Sequence, residues 1–149
     1  MNMAIKLFTI GFTKRTAENF FYTLKQAGVK KVIDIRLNNN SQLAGFTKEK
    51  DLTFFLKEIG GIDYEHDTRL APTKEILDAF KKKGGDWKIY ERDFTDLLKK
   101  RKVENSLNSA DLDNSCLLCS EPTPDHCHRR LVAEYLKDNW DEVEIKHLS

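Results

Sequence analysis

Two apolar runs separated by one amphipathic helix open the chain, and that order leaves few folds available. Ile5 to Phe12 (I-K-L-F-T-I-G-F) is β-branched and aromatic and stops at a glycine, the pattern of a buried strand. From Thr16 the period lengthens. Ala17, Phe20, Phe21, Leu24 and Ala27 share one helical face, Thr16 can cap its start and Gly28 can close its end. Lys30 to Arg36 (K-K-V-I-D-I-R) then reads as a second buried strand whose last residues turn polar. A β-α-β opening of this kind places the strands parallel, joined by a right-handed crossover.

The rest of the chain continues the alternation. Leu37 to Phe46 is rich in turn formers and reads as a long surface loop. Leu52, Phe55, Leu56 and Ile59 recur at helical spacing as far as Gly60-Gly61, and Ile62 to His66 is a short strand candidate. A helix is expected over Lys74 to Lys83, after Pro72 and Thr73, and a longer charged helical region over Ile89 to Leu107. Ser115 to Ser120 is a compact apolar strand. Pro124 to Leu136 reads as a helix with Pro124 at its first position and Thr123 as cap, and Val143 to Leu148 closes the chain as a strand. No repeat, low-complexity tract or linker marks a boundary, so residues 1–149 are expected to form one α/β domain, Rossmann-like and three-layered, with a mainly parallel sheet.

Charge excludes some partners. With 25 Lys and Arg against 24 Asp and Glu, the formal net charge of +1 supplies no global attraction to nucleic acid or membrane. The lysine clusters at Lys48 and Lys50, Lys81 to Lys83 and Lys99 to Lys102 are interspersed with acids and read as solvated helix faces. No apolar run reaches the roughly 18 to 20 residues of a membrane span, and the first residues do not resemble a secretory signal, so a cytoplasmic location is expected. Three cysteines with no framework spacing point away from structural disulfides.

In such a sheet, ligands bind outside the carboxyl ends of the strands. Those ends bring together Gly11 and Thr13, Asp34 and Arg36, Cys119 and Glu121, and His147. The densest chemistry follows the late strand, in C-S-E-P-T-P-D-H-C-H-R-R, Cys119 to Arg130.

The combination of F-T-I-G-F-T near the start, V-I-D-I-R with downstream Ser41 and Phe46, I-D-Y-E-H-D-T-R-L-A, L-L-C-S-E-P-T-P-D-H-C-H-R-R-L-V-A and the final K-H-L resembles the domain-of-unknown-function family 488 over nearly the whole chain. The most specific part is C-x-E followed by C-H-R: Cys119, Glu121, Cys127, His128 and Arg129. The family pattern has a proline shortly before the serine, where this chain has Asn38-Asn39-Asn40, and a glycine in place of Ala71. The resemblance implies a Rossmann-like domain in a prokaryotic cytoplasm and names no activity.

Three chemistries compete for the cysteine-rich stretch. Cys116, Cys119, Cys127 and His128 could fill a zinc site, but residues three apart on a strand face opposite ways, so Cys116 and Cys119 cannot aim at one ion. Cys116 then reads as a small buried hydrophobe, and no metal ligands are assigned. A smaller set from Cys119, Cys127 and a histidine with Glu121 is the reduced form of that idea. Cys127, placed in the first helical turn beside His126, His128 and Arg129, has the surroundings of an activated thiol, or is simply core. The third chemistry, an anion cradle, ranks first, because a helix N-terminus and an arginine fork both suit phosphate.

The expected pocket therefore has Thr13, Arg36, Ser41, Cys119 and Arg129 as ligand-binding residues and Asp34, Glu121, His128 and Cys127 as candidate catalytic groups, with Arg129 otherwise pairing Glu121 or Asp34. Its expected ligand is a phosphate-bearing molecule, a nucleotide or nucleic-acid end, on which the chain acts as hydrolase or transferase. Phe46, Tyr64, Trp87 and Tyr90 could stack a base, although core packing is the commoner use of such residues. The alternatives are a non-catalytic binding or adaptor domain whose polar residues form a structural network, and a thiol redox or metal-binding protein. Cofactor and oligomeric state are left open.

Overall fold

The computed structural model of the protein describes residues 4–38, 45–82, 84–121 and 124–149. Among these residues five strands, β1 (Ile5–Gly11), β2 (Lys31–Asp34), β3 (Asp63–His66), β4 (Ser115–Cys119) and β5 (Val143–His147), form one sheet in the order β3-β2-β4-β1-β5. Every pairing is parallel, with Gly11 opposite Cys119 and Asp34 opposite Leu118.

Helices α1 (Ala17–Ala27) and α2 (Glu49–Gly60) carry the chain from β1 through β2 to β3, toward one edge. Helices α3 (Lys74–Lys81), α4 (Trp87–Arg101), α5 (Val103–Ser106) and α6 (His128–Asn139) belong to the return through β4 to β5. When crossovers keep one hand, a reversal of direction requires a change of face. The core divides accordingly. Phe20, Phe21, Leu24, Leu52 and Leu56 pack on Phe8, Ile10, Val32, Cys116 and Leu118 on one side of the sheet. Phe94, Leu98, Val132 and Leu136 pack on Leu7, Ile33, Leu117 and Cys119 on the other. This is a three-layer, Rossmann-like α/β fold. Neighbouring strands β2 and β4 send their next helices to opposite faces, which opens a crevice between their carboxyl ends.

Local signals act as their chemistry demands. Thr16 Oγ1 accepts the Asn19 N–H at 3.1 Å, and Gly28 ends α1 at φ 80°, a left-handed position that costs glycine little. Thr73 caps α3 in the same way as Thr16 caps α1. Cys116 and Cys119 do face opposite sides of the sheet.

Three expectations are corrected. The charged helix breaks at Lys102, whose φ of 53° is left-handed. Leu98 and Val103 both enter the same core, and in an unbroken helix residues five apart point about 140° away from each other, so the break lets both be buried. The last helix starts at His128 rather than Pro124, because Pro124 to Cys127 form turns and Cys127 is extended at φ −133°, ψ 138°. Ala17, placed on the buried face of α1, is exposed, and burial on that face begins only at Phe20. Thr123 lies outside the described residues. Among the described residues no helix is long and apolar enough to cross a membrane.

Candidate functional site

The crevice between β2 and β4 contains a cavity of about 270 Å³. Its floor is Cys119 at the end of β4 with Cys127 and His128 at the start of α6, one side is Arg36 beyond β2, and Leu77, Phe80, Lys81, Trp87 and Tyr90 of α3 and α4 roof it.

The floor follows from the backbone. The extended conformation of Cys127 leaves α6 to begin at His128, and both residues are buried against Cys119. His128 Nε2 lies 2.7 Å from the carbonyl oxygen of Ile35. A carbonyl only accepts, so Nε2 carries a proton and Nδ1 is left to face Cys119 Sγ at 3.2 Å. The sulfurs of Cys119 and Cys127 and a ring nitrogen of His128 all lie within 4.8 Å of one another. Burial pushes the Cys127 thiol up, but hydrogen bonds to Cys119 and His128 and the charges of His128 and Arg129 outweigh it and hold the thiol well below its ordinary value. Burial drives the Cys119 thiol upward, and its hydrogen bond to Cys127 and the charge there add to the effect.

Arg36 is held by its near neighbour in sequence. Its Nε and Nη2 donate to the two carboxylate oxygens of Asp34 at 2.9 and 2.7 Å, and Nη2 also donates to the Thr47 carbonyl. Tyr64 adds a hydroxyl donor to Asp34 at 2.7 Å, and the guanidinium lies over the Phe12 ring. Burial would lower the Arg36 pKa, but the Asp34 hydrogen bonds and charge more than reverse it. Nη1 is buried and has no hydrogen-bond partner among the described residues. Asp34 is wholly enclosed and its carboxylate is taken up by Arg36 and Tyr64. The same D-x-R hook recurs after β3, where Asp67 binds Arg69.

Arg129 departs most from expectation. Its guanidinium is fully buried and does not line the cavity. Nη1 donates to the backbone carbonyl of Glu121 at 2.7 Å, Nε approaches Thr9 Oγ1 at 3.4 Å, and neither Asp34 nor the Glu121 carboxylate pairs with it. The approach is possible because Gly11 lies beneath: a Cβ there would sit 1.6 Å from the Glu121 oxygen and 2.9 Å from Arg129 Nη1. The Glu121 carboxylate instead turns outward to Lys81 at the cavity rim. Thr13 is also displaced. It donates its N–H to Ser120 O, but its side chain borders a separate hollow with Lys14, Arg15 and Asn19. Ser41 lies outside the described residues.

Thus Arg36, Cys119, Glu121, Cys127 and His128 share the cavity, whereas Asp34 and Arg129 support it from behind. The roof was the part least visible in the sequence. Trp87 stacks between Tyr90 and His126, with ring centres 4.9 and 5.0 Å away. Tyr90 is 4 % exposed, and burial followed by the charges of Cys119, Cys127 and Glu121 raises its phenol pKa. Phe46 and Tyr64 pack with the opposite core.

Fold and site define an α/β protein with a thiol–imidazole floor beneath an aromatic roof at the carboxyl edge of a parallel sheet. The chain belongs to the family described as Domain of unknown function DUF488, whose sequence model matches residues 16–136. Comparison with curated proteins and with solved structures found no significant match to either.

Proposed function

We propose that the cavity binds a ring-bearing phosphate compound, a nucleotide or a nucleic-acid end, and that the chain acts on it as a hydrolase or transferase. The observation that carries this reading is the meeting at one cavity of an aromatic stack and the Arg36 guanidinium, whose Nη1 has no hydrogen-bond partner among the described residues. A planar ring suits exposed His126, which lines the cavity and continues the stack of Tyr90 and Trp87, and an oxyanion suits Arg36 with Lys81 at the rim. Lys81 is half exposed and, among the described residues, pairs with the surface carboxylate of Glu121, a contact of low strength that an incoming anion can replace. Ligand pockets begin at roughly 300 Å³, so a space of about 270 Å³ takes a single nucleotide unit rather than two. His128 and Cys127 on the floor are the groups placed to move a proton or attack; Asp34 orients Arg36.

A second reading, binding without chemistry, is favoured by the complete enclosure of Asp34 and Arg129 among the chain's own groups. Calorimetry and thermal shift with a nucleoside 5′-monophosphate, the nucleoside, inorganic phosphate and short single strands test the proposal. The monophosphate is expected to stabilise the protein more than either of its parts, with Lys81→Ala weakening it alone and Trp87→Ala weakening monophosphate and nucleoside together. Absence of any shift with all four ligands removes the proposal. Binding without turnover of the phosphate group selects the second reading.

A further inference from the structure

We propose that Cys119 Sγ, Cys127 Sγ and His128 Nδ1 form a three-ligand site for a borderline-soft divalent cation of the zinc class, with the fourth position open to the cavity. The two sulfurs and a ring nitrogen of His128 come from the end of β4 and the start of α6 and lie within 4.8 Å of one another. Tetrahedral zinc with sulfur near 2.3 Å and nitrogen near 2.0 to 2.1 Å spaces its donors about 3.5 to 3.8 Å apart, so small side-chain rotations close the set around one ion. The Cys119 to His128 distance of 3.2 Å is already near that spacing.

A second observation points to a ligand at the same place. Metal-bound histidines donate their other ring N–H to a carbonyl or carboxylate, which fixes the tautomer and aims the free nitrogen. The contact between His128 Nε2 and Ile35 O at 2.7 Å is that arrangement, and it leaves the Nδ1 lone pair facing sulfur. A thiol cluster serving only as core filler has no need of an oriented imidazole. Two thiolates exclude magnesium and calcium, which take oxygen donors, and favour zinc among abundant divalent ions. The N-terminus of the twelve-residue α6 and the enclosed Arg129 favour negative charge on the sulfurs. All three side chains line the cavity, so the fourth ligand is water or an oxygen of whatever occupies that space.

With a cation bound, Cys127 and His128 serve as ligands in place of the attacking or proton-moving roles given them above, whereas the identity of the organic ligand is a separate question, so the test uses metal alone. Full-length protein, purified under reductant and stripped with chelator, is titrated with Co²⁺ and then with Zn²⁺. The expected result is an intense tetrahedral visible spectrum with thiolate-to-cobalt charge transfer of two-thiolate intensity, saturating at about one equivalent and bleached by zinc, as an open Cys₂His site requires. Cys119→Ser and Cys127→Ser should each lower that band and weaken binding at least tenfold, while Cys116→Ser, on the other face of the sheet, should leave both unchanged. The two-thiolate intensity in the wild type stands even where a variant fails to fold. A weak octahedral spectrum without charge transfer overturns the proposal. So does a Cys119–Cys127 disulfide that forms equally fast with and without zinc, which would assign the pair to redox chemistry.

Discussion

Arg129 donates to the backbone carbonyl of Glu121 across the space left by the missing side chain of Gly11. This contact ties the turn after β4 to α6, and thereby holds Cys119 and Glu121 at one side of the cavity. A methyl group at Gly11 would meet backbone, which cannot swing aside as a flexible side chain does. Gly11→Ala is expected to destabilise the fold by about 1 to 3 kcal/mol or more, as overpacking does, measured as a lower urea midpoint.

Asp34 and Arg36 form an ion pair with side chains 0 % and 4 % exposed. Removing one charge of such a pair leaves the other buried and uncompensated, at a cost of about 3 to 5 kcal/mol. Asp34→Asn is expected to fall in that range by chemical denaturation. Combining it with Arg36→Met should recover part of the loss, because the stranded charge is then gone too.

His147 sits at the end of β5 with Nδ1 2.6 Å from Thr9 Oγ1. Burial lowers its pKa below the ordinary 6.5, and the nearby Arg129 and Arg130 charges act in the same direction, against Glu134 and Asp125. Below 6.5 the unfolded chain therefore binds more protons at this residue than the folded one, and stability falls with pH down to the depressed folded value. Above 6.5 its contribution is flat. Melting temperatures followed from pH 8 to pH 5 should show this loss in the wild type and a shallower one in His147→Gln.

Lys102 joins α4 to α5 in the left-handed region, at φ 53° and ψ 48°. A side chain there costs roughly 1 kcal/mol that glycine does not incur, partly offset by the greater freedom of glycine in the unfolded chain. Lys102→Gly is expected to raise stability by about 0.5 kcal/mol, read as a small increase in melting temperature.

Much of the scaffold was legible because its signals are local. The run from Ile5 to Phe12, the caps at Thr16 and Thr73 and the stop at Gly28 depend on neighbours a few residues away, and the structure repeats them, with the strand itself ending at Gly11. The D-x-R hook was within reach of the same reasoning. Asp34 and Arg36 are two residues apart, and the recurrence at Asp67 and Arg69 marks a local turn that pairs the two charges with each other. Pro124 misled for the converse reason: it suits a first helical turn, but burying Cys127 beside Cys119 takes an extended residue just before the helix.

By itself the sequence determined the alternation of strands and helices, the carboxyl edge as the place where polar groups gather, and the opposite facing of Cys116 and Cys119, since each follows from backbone periodicity. The tertiary structure alone decided which groups meet. His128 finds the Ile35 carbonyl 93 positions away, Arg129 takes a backbone oxygen in place of a carboxylate, and Trp87 arrives from α4 to stack on His126. Such meetings depend on how helices seat on the sheet, and that seating is settled by the whole core at once rather than by any segment's own pattern.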